Sequence, residues 1–290
     1  FAGKEGQFVT GRKIEERLFR ETQRDVSLRI NRVDNKEEWI VSGRGELHLS
    51  ILIENLRREG FEFQVSRPRV ILKEIDGVIN EPYEYVQVDV PDEYIGSAIE
   101  MFGNRRGNLE GMNSKDGQTR LIYTIPSKGL IGFMTDFLTA THGYGIINHT
   151  FLEYRPVQPD VFMGRKLGVL VSINQGMATT YACGGVEDRG ELLIEPGIMV
   201  YEGMIVGICN REEDLAVNIT REKQMTNQRS ATKDSTTVLK KPRVFSLENY
   251  LSFIDEDELV EVTPNSIRLR KMILDTVERK KYDSTKLKKH

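Results

Sequence analysis

Residues 221–243 carry seven basic side chains, Arg221, Lys223, Arg229, Lys233, Lys240, Lys241 and Arg243, against two acids, Glu222 and Asp234. Interleaved with Gln224, Asn227 and Gln228, they have the chemistry to follow a polyanion. Lysine supplies point charges and arginine a planar fork. Amides hydrogen-bond ribose or base edges of exposed nucleic acid. From Thr220 to Thr237 there is almost nothing apolar to bury, so the stretch is either functional or disordered. A solvated, inert insertion is the competing interpretation of the same charges.

Catalytic arrangements fare worse. Gly6 to Gly11 has the glycine spacing of a phosphate loop, but Arg12-Lys13 stand where lysine and then serine or threonine are needed. Gly43-Arg44-Gly45 lacks the third glycine of a dinucleotide fingerprint and leaves only a weak anion site at a helix start. Ser230-Ala231-Thr232-Lys233 has the spacing of a serine–lysine nucleophile without its companion motifs. Glu256, Asp257 and Glu258 are consecutive and do not converge as an acid–base pair unaided. His48, between Leu47 and Leu49, suits packing or capping better than catalysis. The histidines and the two cysteines, Cys183 and Cys209, have no metal-ligand spacing. The cysteines imply a reduced, cytoplasmic protein with two ordinary thiols. The expectation is a chain that is not an enzyme and holds no metal or cofactor of its own.

The elements that must carry the basic segment follow from hydrophobic periodicity. Ile14 and Leu18 lie one helical turn apart. Leu49, Leu52, Ile53 and Leu56 fall at i, i+3, i+4 and i+7, a core-facing helix closed by Gly60. Val26, Leu28 and Ile30 alternate with polar residues, as do Phe61, Phe63 and Val65. Val86, Val88 and Val90 begin a second block of the same order. Its helices carry Ile95, Ala98, Ile99 and Phe102, then Leu130, Met134, Phe137 and Leu138. Each block reads as β-α-β-β-α-β, and the pair as twin ferredoxin-like split-βαβ domains. Each also has an arginine doublet near a glycine, Arg57-Arg58 and Arg105-Arg106. These doublets either offset helix dipoles or serve as secondary contacts.

Beyond Pro156 the pattern changes to short strands at 166–173, 177–183, 190–195, 204–209 and 214–220, with one helix after Ser246, its N-cap. The expected fold is α+β and multidomain. Residues 1–78 and 79–157 form ferredoxin-like domains, and 158–290 form a mostly-β, barrel-like domain bearing the long basic loop.

Composition bounds the partners. With 41 Lys and Arg against 44 Asp and Glu, the chain is not globally basic. Charge is segregated instead: 248–261 hold six acids and no base, and 265–290 hold nine bases against three acids. That distribution suits a soluble protein that meets an anionic polymer with one surface. No apolar run approaches the roughly 18 residues of a membrane span. The chain opens at Phe1 in a strand-like run, as a piece of a longer protein would.

Val41-Ser42-Gly43-Arg44-Gly45-Glu46-Leu47-His48-Leu49 and Leu56-Arg57-Arg58-Glu59-Gly60 resemble domain III of the translational GTPases, including elongation factor G. Gly103 to Met112 and Ile125 to Gly143 resemble domain V. Arg67-Pro68-Arg69 runs straight from one to the other, with no space for domain IV. Val186 to Gly190, Tyr201 to Gly207, Lys223 to Asn227 and Phe253 to Pro264 resemble the C-terminal domain particular to the BipA/TypA family.

The resemblance implies a ribosome-binding fragment acting in large-subunit assembly and in translation under stress. Its partners would be ribosomal RNA, A-site tRNA and ribosomal proteins, with no membrane and with a monomeric state. The GTPase domain, with its GTP and magnesium, would precede Phe1. The basic loop would face the tRNA acceptor arm and nearby large-subunit RNA through Arg221, Lys223, Gln224, Asn227, Gln228, Arg229, Lys233, Lys240, Lys241 and Arg243. Arg57, Arg58, Arg105 and Arg106 would be secondary ribosome contacts. A protein-binding module with an idle loop is the alternative.

Overall fold

A computed structural model describes residues 2–158, 165–223 and 238–287. In chain order the first stretch holds α1 (Gly11–Thr22), β1 (Arg29–Arg32), β2 (Trp39–Ser42), α2 (Glu46–Arg58) and β3 (Phe63–Ser66). The second holds β4 (Lys73–Ile75), β5 (Val78–Pro91), α3 (Ile95–Asn104), β6 (Asn108–Lys115), β7 (Gln118–Pro126), α4 (Phe133–Ala140) and β8 (Ile146–Pro156). The third begins with β9 (Val169–Ser172), β10 (Gly176–Met177), α5 (Thr180–Glu187), β11 (Gly190–Leu192), β12 (Met199–Val200) and β13 (Met204–Cys209). It ends with β14 (Leu215–Val217), α6 (Leu247–Phe253), β15 (Glu258–Val262), β16 (Ile267–Lys271) and α7 (Thr276–Leu287).

These elements form two compact units, Phe1–Arg67 with Arg165–His290, and Pro68–Gly164. In the second unit the antiparallel order is β8-β5-β7-β6, with β4 also paired to β5. One helix follows β5 and another follows β7, which is the split-βαβ arrangement. Alternation sends Val86, Val88, Val90, Leu121, Tyr123 and Ile125 to one face, where they bury Ala98 and Phe102 of α3 and Phe133 and Phe137 of α4. The Phe102 and Tyr123 rings stack with centroids 4.3 Å apart.

The first unit corrects the expected fold. Its main sheet has seven strands, ordered β14-β9-β13-β16-β15-β3 with β11 also on β13, and it is open rather than a barrel. Two helical layers make closure unnecessary. Along β9 and β13, Val169, Val171 and Ile205 face Leu247, Leu251 and Ile254 of α6 and its C-cap, with Ile53 of α2. Leu170, Met204 and Val206 face Cys183 and Val186 of α5 on the other side. With both faces covered, the pleat needs only edges, and β3 occupies one of them through the pairs Val65↔Val260 and Phe63↔Val262.

The first block keeps its own core of Leu18, Leu28, Leu52, Leu56 and Phe61, while its last strand, β3, joins β15. Among the described residues β1 and β2 pair only with each other, and Phe8 makes a single bridge to Phe61. The strand expected at 177–183 is instead mostly helix. Thr179 caps α5 by accepting the Ala182 N–H at 3.1 Å, and Ala182, Cys183 and Val186 form its buried face.

Candidate nucleic-acid interface

The two flanks of the basic segment are rooted at opposite ends of α5. On the leading side, β14 runs parallel to β9, and Val217 and Ile219 sink into the core. The Thr179 N–H then donates to Ile219 O at 3.1 Å, and its hydroxyl donates to Arg221 O at 2.6 Å. The N-cap of α5 therefore also clamps the departing chain. On the trailing side Leu239 packs on the same core. The Lys240 N–H donates to Glu187 Oε1 at 2.7 Å, at the last residue of α5, and the Arg243 N–H donates to Leu192 O at 3.0 Å. Eight residues of helix set these roots about 12 Å apart along its axis.

Arg221, Lys223, Lys240, Lys241 and Arg243 are all exposed on these flanks. Arg243 lies over the Phe245 ring, 5.1 Å from its centroid, and 3.5 Å from Glu191. More than half of each of the two charged side chains is accessible, so that ion pair contributes little and is easily exchanged. Gln224, Asn227, Gln228, Arg229 and Lys233 lie outside the described residues. The described flanks are two cationic stretches exposed to solvent and tied to the two ends of one helix, a geometry that rewards phosphate contact without requiring apolar burial.

The arginine doublets sit differently. Arg57 forks onto Glu54 at 2.7 and 2.9 Å and donates its remaining nitrogen to Pro264 O at 2.7 Å. Arg58 shares Glu54 at 2.6 Å but is largely exposed. The Arg57 hydrogen bond, with Arg58 behind it, holds the Glu54 carboxyl down to about 2 despite partial burial. Arg105 donates to Ile131 O at 2.9 Å and Gly129 O at 3.3 Å, and lies 3.4 Å from Asp136. A Cβ at Gly129 would stand 2.7 Å from Arg105 O, so this approach requires glycine. Arg106 takes a left-handed conformation, φ 63°, in the chain reversal after α3. Arg57 and Arg105 thus brace neighbouring elements, which leaves Arg58 as the doublet side chain most open to a partner.

A buried charge cluster escaped the sequence. Lys271, almost fully buried, touches Asp214 at 2.5 Å and Asp257 and Glu258 at 2.8 Å each. Arg165 forks onto Glu258 at 2.9 and 3.0 Å. Burial alone would raise the Glu258 pKa, but Arg165 and Lys271 outweigh it and hold the carboxyl at about 2. Burial likewise opposes the charge on Lys271, and the three carboxylates push its pKa upward instead. Asp257 and Glu258 of the acidic run therefore do converge, on a lysine rather than a substrate. Asp214, immediately before β14, also accepts the Val169 N–H at 2.9 Å, so the cluster fixes the strand that leads into the basic segment. No group of acids, histidines or cysteines suited to a metal ion occurs among the described residues.

Comparison with known proteins assigns three successive spans. Residues 9–67 match elongation factor G domain III, 78–164 match the elongation factor G C-terminus, and 167–276 match the TypA/BipA C-terminal domain. Domain by domain, the chain matches the BipA/TypA family. The TypA/BipA span contains α5, both flanks of the basic segment and the Lys271 cluster.

Three proteins named large ribosomal subunit assembly factor BipA illustrate the likeness. The one from Bacillus subtilis (strain 168) is 59% identical over 282 residues, 97% of this chain and 46% of that protein. Those from Synechocystis sp. (strain ATCC 27184 / PCC 6803 / Kazusa) and Escherichia coli O157:H7 are 50% identical over 273 residues and 49% over 282, covering 94% and 97% of this chain. Each match spans 46% of the relative, so the chain has about half the length of these BipA proteins.

Proposed function

We propose that this chain is the ribosome- and RNA-binding portion of a translational GTPase acting in large-subunit assembly and stress-related translation. Its basic segment 221–243 contacts A-site tRNA or large-subunit ribosomal RNA. The observation that carries the reading is the pair of exposed cationic flanks held by α5 within a TypA/BipA C-terminal domain. Arg221 and Lys223 on one side and Lys240, Lys241 and Arg243 on the other supply phosphate contacts. Gln224, Asn227, Gln228, Arg229 and Lys233 between them supply further charge and hydrogen-bonding groups. Arg57, Arg58, Arg105 and Arg106 are secondary ribosome contacts, Arg58 being the most exposed of them.

GTP and magnesium belong to a part of the protein outside this chain, which performs no hydrolysis itself. The working location is the cytoplasm. The functional division is 1–78, 79–157 and 158–290, supported by the three matched spans.

The test is ribosome association of the full-length protein across a salt series. Replacing Lys223, Arg229 and Lys233 with alanine is expected to weaken binding and reduce the salt slope by about one unit for each phosphate no longer neutralised. Unchanged affinity and slope would contradict the reading. So would binding insensitive to both salt and ribonuclease, which would mark protein–protein docking.

A further inference from the structure

A second cationic element lies outside segment 221–243. Helix α7 is held firmly at its root. Asp275 Oδ1 accepts the N–H groups of Val277 and Glu278 at 2.8 Å each. Glu202 Oε1 accepts the N–H and the hydroxyl of Thr276, also at 2.8 Å. Arg279 donates to Ile273 O at 2.9 Å and to Leu274 O at 2.7 Å. Gly203, at φ +85°, lets Leu274 lie against it; a Cβ there would stand 2.6 Å from Leu274 Cδ2.

Beyond this root none of the helix's described side chains is buried. All its described side chains are half-exposed or exposed, Val277 at 60% and Tyr282 at 52% among them. A helix of 12 residues with no buried side chain among those described is marginal in water, since even alanine-rich helices need about 12–15 residues. Capping bonds and a glycine therefore support an element whose described side chains add nothing to the core.

Positions 277, 280, 281 and 284 share one face, which presents Val277, Lys280, Lys281 and Ser284. Glu278 falls outside it. Among residues whose side chains are described, neither lysine has an ion-pair partner. Among the described side chains of this face only Val277 is apolar, so its described part lacks the aromatic or aliphatic anchors on which a protein contact depends. Phosphates reward such lysines without burial. The TypA/BipA match ends at residue 276, so nearly all of α7 lies outside the three matched spans.

We infer that α7 is a second RNA-docking element, whose Lys280–Lys281 face seats on the phosphate backbone of a ribosomal RNA helix. This rests on the ribosomal reading above and adds to it a contact separate from segment 221–243.

The experiment measures ribosome binding of the full-length protein across a salt series, alongside its thermal unfolding. A Lys280→Glu/Lys281→Glu variant is expected to bind roughly tenfold more weakly at ~0.1 M salt, with a slope smaller by about two units. Its unfolding temperature stays unchanged, and a Lys280→Arg/Lys281→Arg variant keeps wild-type affinity and slope. Wild-type affinity and slope in the glutamate variant would overturn the inference. Weakened binding without a change in slope would also overturn it, marking a protein contact. If removal of residues 224–237 abolishes binding while the glutamate variant behaves as wild type, only the α7 contact fails. A wild-type protein that does not bind ribosomes would overturn both readings.

Discussion

Lys271 sets the energetics of the C-terminal sheet because its ammonium is surrounded by Asp214, Asp257 and Glu258 at 2.5–2.8 Å with almost no access to water. Removing one partner from such a cluster leaves uncompensated buried charge. Lys271→Met is therefore expected to destabilise the protein by about 3–5 kcal/mol, measured by denaturant unfolding. The pH dependence has a definite sign. The Glu258 carboxyl sits at about 2 when folded, below its ordinary 4.5. Its stabilising contribution is thus fully present above pH 4.5 and lost as pH falls from there toward 2. A Glu258→Gln variant will show a shallower loss of stability over that interval. A slope equal to that of the wild type would show that Glu258 does not govern it. The arginine doublets carry the same lesson about local signals. Glu54 stands three residues before Arg57, so that pair was legible as an i, i+3 contact. The carbonyls that hold Arg105 lie 24 and 26 residues away and leave no mark in the local sequence.

At the scale of elements, α5 joins the core to the proposed contact surface. Thr179 accepts from Ala182, caps the helix and donates to the Arg221 carbonyl. Thr179→Val removes both hydrogen bonds and is expected to cost about 1–2 kcal/mol. The effect should concentrate in residues 179–223, where amide exchange will accelerate while the β15–β16 pair stays protected. Uniform acceleration throughout the unit would contradict this placement of Thr179. The sequence advertised strand here because Thr180 and Tyr181 favour extended structure and Gly184-Gly185 suggest a turn. Burial of Ala182, Cys183 and Val186 overrides those preferences. The Ser246 cap of α6 was readable because its serine precedes an apolar stripe, and its hydroxyl does accept the Asn249 N–H at 3.3 Å. The cationic run was equally plain in sequence, but the helix that anchors it was not.

For the whole molecule, strand alternation specifies inward and outward faces but is the same in an open sheet as in a closed one. The error over the barrel follows from that degeneracy. The edge that β3 occupies is contributed by a segment nearly 200 residues from β15, beyond the reach of local patterning. Val65→Asp would place a charge opposite buried Val260 in the apolar layer. Two calorimetric transitions are expected, one for each compact unit, with only the transition of the Phe1–Arg67 and Arg165–His290 unit moved by this substitution. Equal shifts of both would contradict the division.

The central claim, that the α5-rooted basic segment meets RNA, is tested most directly by a photo-crosslinking side chain at Val238, 86% exposed on the trailing flank. With the full-length protein bound to ribosomes, crosslinks to tRNA or large-subunit RNA are expected, and deletion of 224–237 should reduce both binding and RNA crosslinks. Crosslinks confined to ribosomal proteins, with binding unaffected by the deletion, would contradict the claim.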